Sequence, residues 1–187
     1  RDEVRVPVKK RYEIDMCNGS ITDKILLFVL PLICSSLLQL LFNAADIVVV
    51  GRFEGKQALA AVGSTSSLIN LLVNLFIGLS VGTNVVIARY IGAKQDRSVK
   101  DTVHTSITVS LISGVFLGLV GLIMARRFLI WMGSPEDVLN LSALYLRIYF
   151  LGMPATLLYN FGAAILRAKG DTKRPLCYLF LSGVINI

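Results

Sequence analysis

Polar and apolar residues fall in long blocks along this chain, without the short periods of a water-soluble fold. Apolar stretches run over about residues 25–50, 58–88, 102–125 and 138–166, and a fifth opens at Leu176 and runs to Ile187. A helix rises about 1.5 Å per residue, so about 20 residues cross a hydrocarbon slab of roughly 30 Å. The pattern therefore predicts an all-α, polytopic transmembrane bundle with about five spans, the last of them (176–187) cut short. The first span exceeds the slab and must tilt or bend. Pro31 offers the bend, because it removes one helical hydrogen bond. The sustained two-residue alternation of an outer-membrane barrel is absent. Residues 1–24 are polar and mixed in charge, with Lys9-Lys10-Arg11 at their centre, and read as a cytoplasmic leader. Ile25–Val50 is too long for the apolar core of a cleavable signal. The chain begins at Arg1 and stops inside an apolar run, so we read it as part of a longer protein.

Composition agrees: 55% of residues are hydrophobic and the mean hydropathy is +0.70. A net charge of +7 raises the question of nucleic acid. All the basic residues but Arg147 lie outside the spans, however, where topology explains them better, and no nucleic-acid partner is expected. Fourteen of the 19 Lys and Arg fall in the leader, the loop before the third span and the turn Arg167–Pro175. Four fall in the two intervening links, and Arg147 lies inside the fourth span. Basic loops stay on the cytoplasmic side, so the N-terminus is expected inside and the link Gly51–Gln57 outside.

Asp46 stands out among the polar residues within the spans. The other acids, eleven of 12, lie in polar stretches, whereas Asp46 follows Leu38-Gln39-Leu40-Leu41-Phe42-Asn43-Ala44-Ala45 and precedes Ile47-Val48-Val49-Val50. A carboxylate facing lipid is unfavourable, so such residues face a bundle interior or wet cavity and often handle ions or protons. A carboxylate dipping into interfacial water is the plainer alternative. Gln39, Asn43 and Asp46 are spaced i, i+4, i+7 on one helical face, and Ser35 extends the stripe. Asp46 and Asn43 are candidate ligands for Na⁺ or a proton, with Gln39 toward a substrate cavity. Interhelical hydrogen bonding is the competing reading for the amides. In the second span Ser67, Asn70, Asn74 and Gly78 share a face, and Asn70 and Asn74 are further cavity candidates. Gly78/Gly82 and Gly114/Gly118 suggest close helix packing. Tyr145, Tyr149 and Gly152-Met153-Pro154 predict a kinked, partly polar fourth span, with Arg147 snorkelling outward.

No catalytic grouping appears. The sequence has no phosphate-binding Gly-x-x-x-x-Gly-Lys-Ser/Thr and no zinc spacing, so no enzyme activity and no cofactor are expected. Energy for transport would then come from an ion gradient. Cys34 and Cys177 read as small, reduced core residues, as does the unpaired remainder, Cys17. His104 reads as a solvated interfacial residue.

In order and spacing, several segments resemble the bacterial branch of the multidrug and toxic compound extrusion family. They are Pro31-Leu32-Ile33, Leu41-Phe42-Asn43-Ala44-Ala45-Asp46, Val50-Gly51-Arg52, Ala58-Leu59-Ala60-Ala61-Val62-Gly63, Ile91-Gly92-Ala93-Lys94 and Leu166 through Pro175. The resemblance implies the N-terminal lobe of a twelve-helix, two-lobe transporter, with a C-terminal lobe beyond this sequence as its partner. It implies a multi-pass protein of the bacterial cytoplasmic membrane that exports drugs or metabolites, cationic or amphipathic, in exchange for Na⁺ or H⁺. It places the coupling cation at Asp46 and the bend at Pro31, and adds Asn186 as a cation-site residue of the fifth span. Phe42 stands where many relatives have tyrosine. The alternatives are a lipid-linked saccharide flippase of the same superfamily, which needs a cationic cavity, and a non-transporting membrane subunit or enzyme.

Overall fold

The computed structural model describes residue 14 and residues 20–53 and 55–186. The expected leader therefore lies largely outside the described residues, as does Cys17. The described residues form six α-helices and no strand: α1 (Ile21–Phe53), α2 (Gly55–Gly92), α3 (Asp96–Trp131), α4 (Glu136–Leu151), α5 (Met153–Ala168) and α6 (Lys173–Asn186). α1, α2 and α3 are each long and apolar enough to cross a membrane, and so are α4 and α5 taken together as one bent pair. Each of the long helices outruns its apolar stretch by about a turn or more. Hydropathy marks the part that needs lipid, while the helix continues into water on residues such as Lys24, Arg89 and Lys100.

Residues 138–166, read as one kinked span, lie in two helices that meet at Gly152 with a bend of 46°. Pro154 sits in the first turn of α5 and has no N–H to give the Phe150 carbonyl, so the ladder is interrupted there. The bend is received by a groove on α3. Ser106, Ser110, Gly114, Gly118, Gly121 and Ala125 are all buried, at steps of three or four residues along one face. A methyl group at Gly114 would stand 2.6 Å from the Pro154 Cα, and one at Gly121 would overlap the Phe150 ring. A Cβ at Gly118 would lie 3.1 Å from the Phe150 carbonyl oxygen. Gly114 and Gly118 thus act as a packing pair. Gly78 and Gly82 do not: nothing lies within 4 Å of the Cβ each would carry.

The core sits where α3, α4 and α5 meet, around Ala125, Leu129, Ala143, Leu146, Phe150 and Met153, with Leu68, Ile69, Leu72 and Val73 of α2 packed against it. Hydrogen bonds join the same helices. Ser64 and Ser142 share one at 3.0 Å, and the Asn84 amide donates to the Ala164 carbonyl at 3.1 Å. α1 packs on α2 and α6 and stands apart from this core. Cys34 and Cys177 are free but exposed, which corrects their reading as core residues: an apolar run in a membrane helix does not separate lipid-facing from buried positions.

The Ile14 N–H donates to the Gly170 carbonyl at 3.2 Å. Residue 14 precedes α1 and Gly170 precedes α6, so both helices start at the same end and run parallel. Arg89, Lys94, Arg97, Lys100, Arg167, Lys169, Lys173 and Arg174 gather at that basic end.

Candidate functional site

α1 passes through Pro31 without a break. Pro31 and Ser35 are its buried residues, and the Ser35 hydroxyl donates to the Pro31 carbonyl at 2.8 Å. At about 100° per residue, Asp46 lies about 20° around the helix from Ser35, Gln39 about 40° and Asn43 about 80°. The polar stripe therefore starts beside the packed seam and turns onto the open side, where Gln39, Asn43 and Asp46 are all exposed within this chain.

On the other side of the seam, the Phe42 ring occupies the space a side chain at Gly183 of α6 would need, so only glycine fits there. This contact sets the register of the parallel pair. Asp46 is four residues beyond Phe42, about 6 Å of rise, and Asn186 is three beyond Gly183, about 4.5 Å. The backbone of Asn186 thus lies at the level of Asp46.

The Asp46 carboxylate also interacts electrostatically with Tyr145 of α4. Tyr145 is partly exposed, and three residues before it on the same helix the buried Ser142 pairs with Ser64. Asp46, Ser64, Ser142 and Tyr145 all lie six to nine residues from the helix ends opposite the basic end. The described structure thus adds Tyr145 to the surroundings of Asp46. A sequence signal existed in the stripe Ser142, Tyr145, Tyr149 at i, i+3, i+7, but its nearness to Asp46 depends on tertiary packing.

Asn70 and Asn74 stand on the side of α2 away from its packed face, since Asn70 is nine residues, about 180°, from the buried Ala61. Both are exposed, and the Asn74 amide bonds within its own helix, to the Asn70 carbonyl at 2.8 Å. Side-chain bonds between helices are made instead by Ser64, Thr83, Asn84, Ser106, Ser142 and Tyr159. Arg147 is exposed on α4.

At the basic end, the segment Arg167–Pro175 is a built junction. Gly170, at φ +80°, ends α5: its N–H donates to the Arg167 carbonyl and the Asp171 N–H to that of Leu166, both at 2.9 Å. The buried Asp171 carboxylate accepts the Arg174 backbone N–H at 3.1 Å. The Arg174 Nε approaches its other oxygen at 3.1 Å, as a charge contact without hydrogen-bond alignment.

The chain as a whole is similar to known proteins. The probable multidrug resistance protein YoeA of Bacillus subtilis (strain 168) is 38% identical over 161 residues, covering 86% of this chain and 35% of YoeA. A crystal structure of a MATE in the straight conformation superposes with a TM-score of 0.83 at 30% identity, over 90% of this chain and 37% of that one. A MATE in the bent conformation gives 0.80 at the same identity and coverage. The chain thus spans little more than a third of the length of these relatives. The MatE family profile matches residues 31–187. An all-helical, multi-pass membrane protein with the fold of one MATE lobe, the N-terminal one, this chain belongs to the MatE family.

Proposed function

We propose that this chain is the N-terminal lobe of an antiporter that exports drugs or metabolites across the bacterial cytoplasmic membrane, driven by Na⁺ or H⁺. The observation that carries the reading is the placement of Asp46. It is the one acid within an apolar run, it borders a polar stripe open within this chain, and it stands level with the Asn186 backbone and near Tyr145. Transporters of small solutes gather coupling-ion and substrate groups in the membrane interior, at the interface between repeats.

In this reading Asp46, Asn43 and Asn186 receive the cation. Protonation removes the carboxylate charge, and Na⁺ binding screens it with carboxylate and amide oxygens. Either event shifts the lobe between two shapes only by its differential affinity for them. Pro31 eases a bend in α1 by omitting a hydrogen bond. Gln39, Asn70 and Asn74 line the cavity for a cationic or amphipathic substrate. The basic end faces the cytoplasm, together with the leader. The multidrug resistance function named for YoeA supports the drug-export part.

The test is drug efflux from proteoliposomes bearing the intact transporter under an imposed Na⁺ or proton gradient. Asp46→Asn keeps size and hydrogen bonding but loses the titrating charge; it is expected to insert normally and lose gradient-driven efflux. Asp46→Glu retains partial activity. Pro31→Ala slows turnover more than it weakens drug binding. Wild-type transport by Asp46→Asn under both gradients would make Asp46 structural and sink the proposal.

A further inference from the structure

A second feature lies away from Asp46 and its polar stripe on α1. Near the basic end, α3, α5 and α6 border an open groove of about 380 Å³, whose lining includes Val103, Ile107, Tyr159, Leu166, Pro175 and Tyr178. Its walls are almost wholly apolar. The Tyr159 hydroxyl is engaged in donating to the Pro175 carbonyl at 3.2 Å. Gly162 leaves the groove open, since nothing lies within 4 Å of the Cβ it would carry.

The charges at the mouth are organised by helical spacing. Lys100 lies three residues from Val103 on α3, Lys169 three residues from Leu166 at the end of α5, and Arg174 four residues from Tyr178 on α6. The ends of α3 and α5 thus each set a cation about one turn beyond the apolar lining, and α6 sets Arg174 beside the lining residue Pro175. Lys100 and Lys169 are exposed, and Arg174 is half-engaged with the buried Asp171. The acid on the same face of α3, Asp96, lies two turns out from Val103, at the start of the helix. A ligand that fits has an apolar tail running toward the membrane interior and an anionic head at the polar boundary.

We propose that this groove is a binding site for an anionic phospholipid of the leaflet at the basic end, with an acyl chain between α3, α5 and α6 and its phosphate beside Lys100 and Lys169. A drug is the poorer fit, since cationic molecules would meet the three basic residues. The site is independent of cation coupling at Asp46, so each proposal can fail alone.

Native mass spectrometry of the intact transporter, purified in detergent and titrated with phosphatidylglycerol or phosphatidylcholine, tests it. Wild-type protein is expected to retain phosphatidylglycerol in preference to phosphatidylcholine. Lys100→Gln with Lys169→Gln should lower phosphatidylglycerol retention roughly tenfold, since each basic residue near an anionic head contributes several-fold, and should leave phosphatidylcholine unchanged. Gly162→Leu fills the groove and should abolish the retained lipid while the protein stays folded by circular dichroism. Equal retention of the two lipids by wild type would overturn the proposal. So would a Gly162→Leu protein that keeps its phosphatidylglycerol. A Gly162→Leu protein that melts far below wild type, from a wild type that retains no lipid, would show a protein segment in the groove and overturn it equally.

Discussion

Asp171 works at the junction of two helices. Its carboxylate is 1% exposed and accepts a backbone N–H from the first turn of α6, a group with no partner inside the helix. The ion pair adds less, because the Arg174 side chain is 38% exposed and water screens it. Asp171→Ala should therefore lower stability by about 1–2 kcal/mol, the range for losing such a cap. Asp171→Asn should recover most of that, since an amide oxygen still accepts. Thermal unfolding of the purified transporter measures both, and an unchanged midpoint for Asp171→Ala would remove the cap from the account. The residues Arg167–Pro175 carried a family resemblance in the sequence, and the structure gives them a local reason. Asp46 was conspicuous in the sequence because charge inside an apolar run is itself a signal. Tyr145 was not assigned to it, because 99 positions separate the two and only packing of the helices brings them near. Cys34 and Cys177 were misread for the reverse reason: lipid and protein core ask for the same apolar residues.

At the scale of helices, the groove on α3 and the bend between α4 and α5 form one device. The missing hydrogen bond at Pro154 permits the bend, and the absent side chains at Gly114, Gly118 and Gly121 let the bent backbone settle against α3. Gly121→Leu must displace the fully buried Phe150 ring and should destabilise by about 1–3 kcal/mol, the usual penalty of overpacking. Gly78→Ala is the contrast. It faces open space, so relieving the helix of a glycine should leave stability equal or raise it by up to about 1 kcal/mol. Comparable losses for both variants, read from thermal unfolding, would refute the distinction. Both glycine pairs look alike in the sequence, since small residues four apart fit any close approach. Which pair is used depends on the neighbour: Gly114 and Gly118 meet α4–α5, and Gly78 meets nothing within this chain. The kink was legible from Gly152-Met153-Pro154. Its 46° angle was not, because the angle is set by how far α3 lets Pro154 approach.

For the molecule as a whole, charge and packing group the same helix ends together. The Lys and Arg bias groups the leader, the α2–α3 loop and the α5–α6 turn. The Ile14–Gly170 hydrogen bond and the parallel run of α1 and α6 bring two of those three together in space. The all-helical bundle was legible because apolar blocks of this length have one stable form in lipid, in which each backbone group is satisfied within its own helix. The pairing of α1 with α6, and the separation of α1 from the α3–α4–α5 core, was not, because hydropathy says nothing about which helices touch. Sidedness follows from charge alone and can be checked directly. With Cys17, Cys34 and Cys177 replaced by serine, Arg97→Cys and Lys56→Cys provide one exposed thiol at each end of the bundle. In intact cells an impermeant thiol reagent is expected to label Lys56→Cys and to reach Arg97→Cys only after permeabilisation. The opposite pattern would invert the molecule. Asp46, seven residues from the α1 end opposite the basic one, would then lie in the inner half of the membrane, and the cation would enter from the cytoplasm in the proposed cycle.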